Sequence, residues 1–149
     1  MSRLILSVCL ALMIITLACK KETDENNPDP AWRYFEVGKE IANGQWRDSS
    51  YIVATKNATL LAKIEAQLAK PINERQIVLG SLAAGSGGYN KNSNHTFKWH
   101  IKEDDWELVD MTVEIYDGNP YSDVDVNYKY WMDTVKRFAP WRSYIKREI

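Results

Sequence analysis

The chain has 149 residues, with 19 Lys and Arg against 20 Asp and Glu. A formal net charge of −1 offers no basic footprint for nucleic acid. Both cysteines, Cys9 and Cys19, lie in or at the edge of an N-terminal signal, which excludes internal disulfides, Cys-ligated zinc, iron–sulfur clusters and thiol nucleophiles from the body.

After Arg3 comes an uncharged apolar run from Leu4 to Ala18, too short to span a bilayer and laid out as a secretory signal. It ends in Thr16-Leu17-Ala18-Cys19, which resembles a bacterial lipobox, although Thr16 stands where such motifs usually carry Leu. Residues 1–18 are therefore expected to be removed and Cys19 to be lipidated, which makes the membrane a first partner. Residues 19–30 read as a polar tether, because 20–30 carry no apolar side chain other than Pro28 and Pro30. Lys20 directly after the cysteine points to the outer membrane of a cell envelope, and the acidic stretch that follows resembles a surface-export signal.

Residues 31–149 are expected to form a single domain, within the size of one hydrophobic core. All 17 aromatic residues of the chain fall in this stretch. Trp32 to Val37 and Tyr51 to Thr55 read as strands separated by a turn at Gly44. A helix is predicted from about Asn57 to Ala69, with Leu60, Leu61, Ile64 and Leu68 on one face and Pro71 blocking continuation. Gln76 to Leu82 is the next strand. The glycine-rich loop 83–94 matches neither phosphate-loop pattern, and a flexible hairpin connection is the expectation.

Thr96 to Lys102 alternates, with Phe97, Trp99 and Ile101 to the core and Lys98, His100 and Lys102 to solvent. A polar turn at 104–106 then leads to a strand over 108–116. Together these strands predict an antiparallel meander and an α+β fold, a small antiparallel sheet of five to six strands covered by one or two helices. Asn119-Pro120 signals a helix start, yet residues 121–135 fit strand and helix periodicities equally. A last strand lies between Trp141 and Ile149.

The order of Tyr51–Leu68, Ile77-Val78-x-Gly80, Tyr89-Asn90, Phe97–Ile101, Val113–Asp117, Pro120-Tyr121 and Ala139-Pro-Trp141 through Arg147-Glu148 resembles a family of small secreted domains. The family takes its name from the N-terminal domain of a slime-mould binding protein, and its bacterial members are often labelled calmodulin-binding proteins. The likeness covers residues 32 to 148 and places His100 on the family's histidine. Two family cysteines are replaced by Tyr116 and Ala139. The resemblance implies that these positions are neighbours, with Cα atoms within about 8 Å. It also tips residues 121–135 toward helix, although the family's acidic motif there becomes Tyr121 to Val126. The calmodulin label carries no mechanism here, since calmodulin targets are basic amphipathic helices and helix 57–69 is weakly charged.

His100, Glu114 and Asp117 are the candidate polar cluster, on the expectation that strands 96–102 and 108–116 pair and bring His100 to Glu114. A surface ion pair is the plainer outcome. Trp106, in an acidic turn, and Trp141 are the candidate binding aromatics. No residue pattern requires a cofactor, and no metal-ligand spacing is present. These observations favour a lipid-anchored envelope protein with a non-enzymatic binding domain for a protein, peptide or glycan, and no nucleic acid. The alternatives are a small metal-dependent or hydrolytic enzyme using His100 and Glu114, or a secreted enzyme inhibitor.

Overall fold

A computed structural model describes residues 32–39, 44–113 and 115–149. Its strands are β1 (Arg33–Lys39), β2 (Ser50–Thr55), β3 (Ile77–Ala84), β4 (Lys91–Asn92), β5 (His95–Thr96), β6 (Trp99–Val109), β7 (Arg137–Phe138) and β8 (Ser143–Glu148). The helix α1 (Ala58–Leu68) follows β2.

The β1 and β2 pair is antiparallel, with Phe35 opposite Val53 and Val37 opposite Tyr51, all four buried. β8 joins the free edge of β1 through Val37 and Ile145, and β3 continues the sheet through Ile77 and Tyr144. The six-stranded sheet runs β2-β1-β8-β3-β6, with β7 alongside β3, and β4 and β5 form a separate two-stranded ribbon. The fold is therefore α+β, as the strand and helix patterns predict.

The sheet curls until β2 faces β6 across a seam, which side chains close. Asn90, fully buried, accepts from the Ile52 N–H at 3.0 Å and donates to the Trp99 carbonyl at 2.8 Å. Trp106 Nε1 donates to the Ala54 carbonyl at 2.7 Å. The Asp104 carboxylate accepts from the Thr55 hydroxyl at 2.6 Å and from the Lys56 N–H at 3.0 Å. Unpaired edge groups are thus satisfied without a ladder.

α1 starts where Asn57 accepts from the N–H groups of Thr59 and Leu60 at 3.0 and 3.1 Å, the usual service of an N-cap. It buries Leu60 and Ile64 and packs against β8. Residues 120–135 are helical: an α-turn at Tyr128–Tyr130 lies between two wider π-type turns, marked by i to i+5 bonds from Val126 N–H to the Tyr121 carbonyl and from Lys136 N–H to the Trp131 carbonyl. Helix is the outcome that the resemblance favoured for this stretch.

Two strand expectations need correction. Residues 104–106 do not turn the chain: β6 runs through to Val109 as one strand paired with β3. Gly80 stands opposite Trp106 and Leu82 opposite Ile101, so β6 spends four residues, 102–105, on an outward excursion with Asp104 at φ 56°. The strand expected over 108–116 stops at Val109, and residues 111–113 and 115 have no strand partner among the described residues.

Candidate functional site

His100 lies on the outer face of β6, as its alternation with Trp99 and Ile101 predicts, yet it is only 8% exposed. The glycine-rich loop folds back over it. Gly85 brings its carbonyl to 2.7 Å from Nδ1, and a carbonyl only accepts, so Nδ1 carries the proton. A Cβ at Gly87 would sit 3.1 Å from the imidazole ring, so the cover fits because it has no side chain there. Tyr89 packs edge-on at 5.8 Å and donates its hydroxyl to the Ile101 carbonyl at 2.8 Å. Burial pushes the Tyr89 phenol well above its usual range.

The carboxylate beside His100 is Glu103, with Oε2 3.5 Å from Nε2. This corrects the expected strand pairing, since β6 pairs with β3 and brings Glu103 to the imidazole from its own strand. Glu114 and Cys19 lie outside the described residues. Asp117 is exposed in a turn, where its carbonyl accepts from Lys39 Nζ at 3.3 Å, and it adjoins Asp123 rather than His100. Among the described residues no group of three His, Cys, Asp or Glu side chains is placed to hold a metal ion.

Trp106 is corrected as a binding aromatic. It is 6% exposed, because the outward excursion of 102–105 returns the chain with this side chain facing inward. Gly80 makes the space, since a Cβ there would be 2.8 Å from Trp106 Cβ and 2.4 Å from Ile101 Cγ2.

Trp141 is half-exposed, at 38%. It borders an open hollow of about 380 Å³ whose walls include Leu79, Val135 and Phe138, with Met111, Val113 and Ile115 on its rim. Across the indole lies a second, more polar hollow of about 420 Å³, reaching Lys70, Asp110, Arg142 and Tyr144. Met111 and Val113 are 78% and 81% exposed, and Tyr116 stacks edge-on against Tyr130 at 5.9 Å beside them. Most of the large apolar side chains exposed among the described residues gather on this one face, whereas single exposed hydrophobics are ordinary.

Charge around the face is mixed. Arg137 meets Glu107 at 3.3 Å, and Lys129 pairs with Asp133. Tyr116, Lys136 and Arg142 hold the left-handed backbone, at φ 58°, 63° and 61°. Non-glycine residues adopt it at a cost of about 1–2 kcal/mol each, so strain collects around this surface. The chain segments bearing Tyr116 and Ala139 also meet here: a Cβ on Gly118 would stand 3.1 Å from Pro140 Cα.

Met111, Val113 and Ile115 read as one face of a half-buried strand. Their alternation shows that they share a side, and no local signal tells whether a partner strand covers it.

The family model that matches residues 31–149 is that of the N-terminal domain of the slime-mould binding protein, the family that the order of motifs resembles. No curated protein and no solved structure gives a significant match.

Proposed function

We propose, for a chain that belongs to the N-terminal domain family of the slime-mould binding protein, a lipid-anchored envelope protein whose domain is a non-enzymatic interaction module. Its working surface is the apolar face around Trp141. The carrying observation is the clustering of Met111, Val113, Ile115, Tyr116, Tyr130 and Trp141 at the surface around a ready-made hollow. Exposed apolar area of this kind is stabilised by covering it, at roughly 25 cal/mol per Å² removed from water.

The lining favours a protein or peptide over a glycan. Sugar rings need flat aromatic platforms flanked by hydrogen-bonding side chains, whereas the walls beside Trp141 are largely aliphatic. The enzyme alternative finds little support, because the His100 imidazole is covered by its loop and engaged with the Gly85 carbonyl. Anchoring rests on the Ala18-Cys19 signal and the polar tether.

The test has two arms. Cells fed an alkyne-bearing fatty acid should label the wild-type chain and leave Cys19→Ser unlabelled. The chain should also retain an envelope protein that a Trp141→Ala, Val113→Asp variant of equal stability releases. Equal retention by both chains would refute this face as the working surface.

A further inference from the structure

We propose that residues 111–115 are a receiving edge onto which an extended peptide strand of a partner protein adds, with one apolar side chain entering the hollow beside Trp141. The inference rests on the interaction reading above and commits it to one kind of partner and one mode of binding.

Three observations carry it. Met111-Thr112-Val113 has β-type composition, and its apolar positions continue in register to Ile115. Yet residues 111–113 and 115 make no backbone-to-backbone hydrogen bond among those described, and β6 has already ended at Val109. Unpaired backbone flanked by exposed apolar side chains is what strand addition uses: main-chain bonds hold the guest and pockets select alternate side chains. The hollow supplies such a pocket, and the polar hollow on the other side of Trp141 accommodates a neighbouring polar residue of the same guest.

The position of the face indicates where the guest comes from. Residues 20–30 offer no apolar side chain other than proline to fill the hollow. β1 begins at Arg33, the end from which the chain leads back to Cys19, and its far end is Lys39. The Trp141 face belongs to the Lys39 end: Ser143 pairs with Lys39, and the Asp117 carbonyl accepts from Lys39 Nζ. Seven strand residues put about 20 Å between these ends. A domain tethered through Arg33 therefore presents this face away from the bilayer, toward proteins in the surrounding medium.

The experiment selects short random peptides displayed on phage against the full chain in detergent, then measures the enriched peptides by fluorescence anisotropy. Strand addition predicts alternating apolar and polar residues in the peptides. It predicts an about tenfold loss on N-methylating alternate peptide nitrogens or on Thr112→Pro, each of which deletes a donor. Trp141→Ala should weaken binding as well.

Peptides that need Trp141 yet tolerate N-methylation and Thr112→Pro would overturn strand addition while leaving the interaction surface standing. No Trp141-dependent enrichment, with the Cys19→Ser chain binding phosphatidylethanolamine–phosphatidylglycerol vesicles through Val113 instead, would overturn the protein partner in favour of the bilayer. Neither enrichment nor vesicle binding would overturn both readings.

Discussion

The indole N–H of Trp106 donates to the Ala54 carbonyl at 2.7 Å, joining β6 to β2 where the two strands share no ladder. Trp106→Phe keeps most of the ring volume but leaves that carbonyl without its donor. The expected loss is about 1–3 kcal/mol in chemical denaturation. An unchanged midpoint would mean that the bond does not hold the seam.

The Tyr51 hydroxyl behaves oppositely. It is buried between Trp99 and Phe138, with ring centroids 5.7 and 5.5 Å away, and its oxygen has no hydrogen-bond partner. Burial pushes the phenol far above its ordinary range. Tyr51→Phe removes a desolvated polar group and should leave the protein equally stable or up to about 1 kcal/mol more stable. A clear loss of stability would show that the hydroxyl has a partner.

Glu148 grips Arg33 with both oxygens, at 2.6 Å to Nε and 2.6 Å to Nη2, and this hydrogen bonding holds its carboxyl below the ordinary value of 4.5. A depressed carboxyl adds stability above its unfolded pKa and loses it as pH falls through the native one. Glu148→Gln should therefore be less stable than wild type at neutral pH, and the gap should close below about pH 4.5. Because the pair is exposed, the gap should stay under about 1 kcal/mol. A gap that widens in acid would contradict the pairing.

Asp123 titrates with the opposite sign. Desolvation raises its pKa above 3.8, against the N–H of Asn119, which donates to its Oδ2 at 2.7 Å. A raised carboxyl contributes stability that is present below the unfolded pKa and is lost as pH rises through the native value. Asp123→Asn should flatten that decline, read as midpoint against pH from about 4 to 6.

Local chemistry carried much of the fold into the sequence. Asn57 and Pro71 bracket α1 because a cap and a missing N–H act within one turn. The inward set Phe97, Trp99 and Ile101 was legible from alternation alone, and all three are buried. His100 and Trp106 were not legible, because their burial depends on distant glycines: Gly85 and Gly87 let a loop lie over the imidazole, and Gly80 opens room for the indole. The segment from Met111 to Ile115 shows the limit most plainly. Its pattern is that of a strand, but a strand needs a partner, and none of the described strands pairs with it.

The central claim, that the face around Trp141 is a surface for a protein partner, is tested most directly by photo-crosslinking in living cells. A photo-reactive amino acid replaces Val113 in one strain and Lys102, an exposed position on the β6 excursion, in another. The account predicts a discrete protein adduct from position 113, abolished by Trp141→Ala, and no such adduct from position 102. Identical adducts from both positions, or none from position 113 in a properly folded chain, would contradict it.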